Sequence, residues 1–251
     1  MSTPASSDAP RKLPHSMNVV VLAAGKGERF LAEGVTIPKP LISWKGRTLL
    51  EHSLDVAQEL AYPDGRIVVV TIDEVAPEAW RCMMKRGWFS SDNHARVIPV
   101  SVIQPGPVAS GLLALAHLPP GEPVAFMDCD NYYADRSWVP RAREIAMKGE
   151  GFITVAPLRP GMVRTDYCNV DVADDGTVRR MAEKVALSDA AMLGTGVYGF
   201  YDAKVFAHEA QLRYGAPMSV VCEAAAPLFL NAIVVYGWQP LGTPSQLASA
   251  K

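Results

Sequence analysis

Residues 19 to 42 read VVVLAAGKGERFLAEGVTIPKPLI, and this stretch decides the fold. Val19 to Leu22 is an apolar run of the kind that forms a parallel strand buried on both faces. It breaks into Ala23-Ala24-Gly25-Lys26-Gly27, followed by Arg29 and later by Pro38-Lys39-Pro40-Leu41. Small residues and glycines after a strand let backbone N–H groups close around a phosphate. Arg29 and Lys39 place permanent charge beside those amides. The loop therefore suits a triphosphate better than a neutral ligand. It is not a dinucleotide fingerprint, because Phe30 stands where G-x-G-x-x-G needs its third glycine. It is not a Walker A loop either, because no G-K-[ST] follows.

Working outward, strand-like runs are expected at Asn18–Ala24, Arg66–Ile72, Arg96–Ile103, Val124–Met127 and Phe152–Pro157. Between them, helices are expected at Thr48–Leu60, Pro77–Lys85, Ala109–His117 and Trp138–Lys148. The alternation predicts an α/β fold with helices on both faces of a parallel sheet. Ligands in such sheets bind at the carboxyl ends of the strands, so the glycine loop and the Asp128–Asp130 pair should share one crevice. After residue 158 the pattern changes. Asn169–Val172 and Val178–Glu183 flank Asp174-Asp175-Gly176, a hairpin signal. Val197–Phe200 is a further strand, helices follow near Ala203–Leu212 and Ser219–Leu230, and Ile233–Tyr236 is expected to be the last strand. Residues 158 to 200 thus read as an antiparallel lobe.

Bulk properties narrow the class. The 251 residues suffice for one large α/β domain or two small ones. A net charge of −2 gives no support for nucleic-acid binding through a basic face. No apolar run reaches the roughly 20 residues of a membrane helix. Residues 1 to 16 are polar and proline-containing and read as a disordered tail, and residues 17 to 251 as one domain. Cys82, Cys129, Cys168 and Cys222 form no C-x-x-C pair, which fits buried thiols in a cytoplasmic protein. His15, His52, His94, His117 and His208 show no ligand spacing.

Leu22-Ala23-Ala24-Gly25-Lys26-Gly27-Glu28-Arg29 with Pro38-Lys39-Pro40-Leu41 resembles the signature of the sugar nucleotidyltransferases, or nucleotide-sugar pyrophosphorylases. Further landmarks follow in that family's order: Gln104 to Gly111, Asp128 to Asn131, Glu183-Lys184, Gly194 to Phe200 and Gly242-Thr243-Pro244. Phe30 and the glycine-containing loop before Pro38 look most like small bacterial members linked to capsule or surface-polysaccharide assembly. The resemblance implies a Rossmann-like three-layer nucleotidyltransferase fold, with an NTP-binding half (17–157) and a substrate-side half (158–251) that carries a small antiparallel substrate lobe. Small family members are often dimers, so the resemblance leaves a homodimer open, while the sequence itself does not fix the oligomeric state.

The same resemblance implies roles. Leu22 to Gly27 would bind nucleotide, with Gln104, Ala109 and Ser110 at the base and ribose. Arg29 and Lys39 would hold the triphosphate, and Lys184 the acceptor phosphate. Glu183, Thr195 and Gly196 would line the acceptor pocket, joined by Tyr167 and Asn169. Arg159 and Arg164 are further anion contacts to consider. Asp130, supported by Asp128, would hold Mg²⁺, a cation that takes oxygen ligands and substrate phosphates; as plain residues the two carboxylates could equally cap a turn. The family supplies a second Asp in W-x-D-x-G-T, but here Trp238-Gln239-Pro240-Leu241-Gly242-Thr243 has Pro240 in its place. The implied reaction transfers a nucleotidyl group from CTP, UTP, GTP or dTTP to a phosphorylated small molecule. A weakened homologue that only binds nucleotide is the alternative, and Pro240 is its support.

Overall fold

The computed structural model describes residues 16–88, 94–102, 104–225 and 230–250. The expected N-terminal tail, the end of the expected strand at Ile103 and part of the helix expected to reach Leu230 lie outside the described residues.

The chain opens with β1 (Asn18–Ala23), whose six residues are all buried. Its side chains alternate between two cores. Val19, Val21 and Ala23 enter one, and Val20, Leu22 and Ala24 enter the other, as the two-residue period of a strand requires. Asn18 anchors this strand. Its Oδ1 accepts from the Arg66 N–H at 3.0 Å, and its Nδ2 donates to Glu122 Oε2 at 2.9 Å. The loops that launch the two neighbouring strands are thereby held level with β1.

Next come α1 (Glu28–Ala32), a 3-10 turn at Lys39–Leu41, and the short hairpin of β2 (Ser43–Trp44) and β3 (Arg47–Thr48). Then follow α2 (Leu49–Ala61), β4 (Ile67–Ile72), α3 (Ala76–Lys85), β5 (Ala95–Val100) and α4 (Pro107–Leu115). Helix α2 starts at a full capping box, Thr48 with Glu51. After it the chain forms β6 (Val124–Asp128), β7 (Asn131–Tyr133), α5 (Val139–Met147) and β8 (Gly151–Ala156). The second half contains β9 (Cys168–Val172), β10 (Val178–Glu183), β11 (Met192–Phe200), α6 (Ala203–Leu212) and α7 (Met218–Ala225). It ends in β12 (Leu230–Val234), β13 (Trp238–Pro240) and α8 (Pro244–Ser249).

Strands β6, β1, β4 and β5 pair in parallel, as the alternation predicts. Strand β11 joins the free side of β6 antiparallel and also pairs with β8 and β9. The β9–β10 hairpin turns at Gly176, whose φ of +87° suits a residue without Cβ. The expected antiparallel segment is therefore continuous with the main sheet, which has nine strands among the described residues. The expected last strand also moves: Leu230–Val234 pairs parallel with β8, and Tyr236 lies beyond it. A later strand, β13, pairs with β7 in a separate two-stranded ribbon. The four cysteines are free and buried. No helix among the described residues is long and apolar enough to cross a membrane.

Candidate active site

A cleft of about 880 Å³ opens at the carboxyl ends of β1 and β6. One wall is the loop after β1. Gly25 there is exposed, and a Cβ on it would meet nothing within 4 Å. Gly27 differs: its φ is +65°, and a Cβ would sit 3.1 Å from the Cβ of Lys39. The second glycine thus lets the loop back onto the Pro38-Lys39-Pro40 turn, while the first leaves a face open to a ligand. Arg29 is exposed on the same wall.

The floor is built by Asp128 at the end of β6 and Asp130 two residues on. Lys39 Nζ lies 2.6 Å from Asp130 Oδ2, with the side chains 19% and 21% exposed. Burial alone would lower the Lys39 pKa, but the Asp130 carboxylate outweighs it and the value is raised. Asp128 is pushed up to about 7, first by burial and then by the charge of Asp130. Lys39 thus balances Asp130, while burial and the Asp130 charge favour the neutral form of Asp128. Two glycines keep it open. A Cβ on Gly196 (φ +88°) would lie 2.9 Å from Asp128 Oδ2, and one on Gly242 would lie 2.5 Å from Asp130 Oδ2. Two carboxylates, each faced by a glycine that adds no side chain, fit a hard divalent cation. Among the described residues no cluster of three or more His, Cys, Asp or Glu stands ready for a metal. A cation here would complete its shell with substrate oxygens and water, as Mg²⁺ commonly does.

The far wall carries Tyr167, Glu183, Lys184, Thr195 and Gly196. Lys184 is exposed and has φ +56°, a conformation few non-glycine residues adopt. Its N–H donates to the Tyr167 carbonyl at 3.0 Å. Glu183 accepts from the buried Ser219 hydroxyl of α7 at 2.8 Å. Thr195 and Gly196 sit in a register shift of β11 against β8. The Thr154 hydroxyl accepts there from Thr195 Oγ1 at 2.6 Å and from the Val197 N–H at 3.2 Å. Tyr167 OH accepts from Gln246 Nε2 at 2.9 Å.

Several expected contacts fall elsewhere. Asn169 is fully buried and donates to the carbonyls of Arg164 and Tyr167, so it shapes the turn behind the pocket instead of lining it. Arg164 is spent on the carbonyls of Ala191 and Asp189. Arg159 stands over the Trp238 ring at 5.8 Å. Ala23 and Ala109 are buried behind the cleft, whose surface is made instead by Leu22, Ala24 and Ser110. Gln104 reaches the cleft, with Nε2 donating to its neighbour Val102 at 2.9 Å. A Cβ on Gly106 would meet the Gly215 carbonyl at 2.3 Å, so this loop is clamped against the turn after α6. Asn131, Trp238 and Gln246 also border the cleft. Nothing in the spacing of Gln246 signals it, whereas Asn131 and Trp238 stand inside quoted motifs.

This fold, with its cleft at the switch between parallel and antiparallel strands, defines an α/β nucleotidyltransferase. Residues 19–228 match the MobA-like NTP transferase domain, and the chain belongs to that family. A stretch of 54 residues is 50% identical to the bifunctional protein GlmU of Bordetella petrii; it covers 22% of this chain and only 11% of that protein. Similar solved structures share the fold at low identity. The inositol-1-phosphate CTP transferase of T. maritima superposes with a TM-score of 0.71 at 14% identity, over 95% of this chain and 94% of that one. A nucleoside-diphosphate-sugar pyrophosphorylase of Vibrio cholerae gives 0.72 at 15%, over 91% and 98%. A candidate glucose-1-phosphate thymidylyltransferase of Bacillus anthracis gives 0.73 at 17%, over 94% of each chain.

Proposed function

We propose that the chain transfers a nucleotidyl group from an NTP to a phosphorylated small molecule, such as a sugar 1-phosphate, with release of pyrophosphate. The observation that carries this is the Lys39–Asp130 pair beside Asp128, set between an open glycine loop and the Lys184 wall. An acceptor phosphate is already a nucleophilic anion, so the work of the site is positioning and charge neutralisation. The amides around Gly25 to Gly27 cradle the leaving phosphates, with Arg29 and Lys39 balancing their charge. Lys184 holds the acceptor phosphate, and Glu183, fixed by Ser219, takes a hydrogen bond from an acceptor hydroxyl. Gln104 and Ser110 face the base and ribose. Mg²⁺ held by Asp130 and Asp128 would supply the remaining positive charge on the reacting phosphates. In this reading residues 17–157 serve the NTP and residues 158–251 the acceptor. A place in surface-polysaccharide precursor synthesis rests on Phe30 and the loop before Pro38.

The test is pyrophosphate release with Mg²⁺, five NTPs and a panel of phosphorylated acceptors, with Lys39→Ala as control. One productive pairing, abolished in Lys39→Ala, is expected. Silence across the panel, with one NTP still raising the melting temperature, would favour a nucleotide-binding homologue.

A further inference from the structure

Pro240 offers neither a ligating side chain nor an N–H, yet β13 still reaches the carboxylate floor. It does so through Trp238. The indole Nε1 donates to Asn131 Oδ1 at 2.7 Å, and Asn131 Nδ2 donates to Asp130 Oδ1 at 3.3 Å. Trp238 is 2% exposed and Asn131 9%. An indole N–H can only donate, and a primary amide has one accepting end and one donating end. Trp238 therefore dictates which way the amide faces. The oxygen must turn to the indole and the NH₂ to the carboxylate. A flipped amide would set donor against donor and oxygen against carboxylate. Gly196 gives the amide its seat, since a Cβ there would lie 2.6 Å from Nδ2.

The result is a carboxylate fixed on both oxygens, Oδ1 by Asn131 and Oδ2 by Lys39 at 2.6 Å. Its backbone is held from the same ribbon, because the Leu241 N–H donates to the Asp130 carbonyl at 2.8 Å. The geometry points to Trp238 as a positioning residue that, through the Asn131 amide, sets the carboxylate plane of Asp130 for a divalent cation. This rests on the reading of Asp130 as a metal ligand. The late segment then contributes orientation in place of a second ligand. Partners that orient a metal ligand commonly change metal affinity by about 10–100-fold when removed.

The test is Mn²⁺ binding to the full chain without nucleotide, followed by electron paramagnetic resonance. Asp130→Asn examines the metal reading, and Trp238→Phe keeps a ring while deleting the donor. Asn131→Leu deletes the relay. Trp238→Phe and Asn131→Leu should each weaken Mn²⁺ binding about tenfold or more, and the double variant should be no weaker than Asn131→Leu. A purely packing role for Trp238, against Tyr167 and Arg159, would instead add to the loss in the double variant and would overturn the proposal. Unchanged binding in Trp238→Phe, beside weakened binding in Asp130→Asn, would also overturn it. Wild-type binding in Asp130→Asn would sink the metal reading itself. Should Trp238→Phe fail to fold, a tryptophan analogue with sulfur in place of the indole N–H, inserted at position 238, makes the same comparison.

Discussion

Replacing Lys39 by methionine keeps the aliphatic stem and removes the ammonium, and the structure gives this change two opposite effects. The ammonium sits 2.6 Å from Asp130 Oδ2, with both partners about four-fifths buried, at 19% and 21% exposure. Loss of such a preorganised charge from a transition-state clamp costs about 2.7–4 kcal/mol, or about 10²–10³ in kcat. Metal binding should move the other way. Lys39 holds one oxygen of the carboxylate proposed to bind the cation, and its positive charge opposes the cation's approach. A unit charge at about 4 Å and an effective dielectric near 20 is worth about 4 kcal/mol. Even a third of that tightens Mn²⁺ binding about tenfold. The paired assays are pyrophosphate release under saturating substrates and Mn²⁺ titration without nucleotide. A Lys39→Met variant with kcat within threefold of wild type would refute the clamp. Weaker Mn²⁺ binding in that variant would refute this opposition of charges, and with it the placement of the cation beside Lys39.

Other outcomes follow from local geometry. Gly25→Ala should leave unfolding free energy within about 0.5 kcal/mol, since a Cβ there meets nothing, while raising KM for the NTP about tenfold by crowding the phosphates; Gly27→Ala should lower stability by about 1–2 kcal/mol through its left-handed backbone and displace Lys39. Gly106→Ala drives a Cβ into the Gly215 carbonyl, so it should lower stability by about 1–3 kcal/mol and raise KM for NTP more than for acceptor. Away from the cleft, burial would raise the Asp55 carboxyl, but hydrogen bonds from Arg47 and Arg86 hold it down at about 2 against an ordinary 3.8. A depressed carboxylate stabilises above its unfolded value, and the contribution is lost as pH falls from about 4 toward 2. With the side chain 23% exposed, Asp55→Asn should cost up to about 2 kcal/mol at pH 7 and less at pH 3, read by urea unfolding.

Most of the parallel half of the sheet was legible because β1, β4 and β6 are buried on both faces and read as unbroken apolar runs, as Val19 to Leu22 does, whereas β5 mixes exposed and buried residues. The hairpin at Asp174-Asp175-Gly176 was legible from turn chemistry alone. The position of β11 was not, since pairing order depends on contacts far apart in sequence, and the run Gly194 to Phe200 reads the same at an edge or in the middle. Nor was the β7–β13 ribbon. Its strands are three residues long, and Pro240 argues against a strand unless that strand pairs on one side only, as β13 does with β7. The resemblance puts Asn169 in the acceptor pocket, but a motif position does not show that its amide is taken up by the turn before it. The left-handed backbone of Lys184 has no sequence signal at all. The carboxylates are the instructive case. Asp128 ends β6 and Asp130 lies in the turn that follows, and both reach the cleft while Cys129 between them packs in the core. Their place after an apolar run marks them in the sequence, and the turn brings both oxygen donors to one floor. That is why proline at position 240 can stand where another carboxylate was expected without emptying the site of candidate ligands.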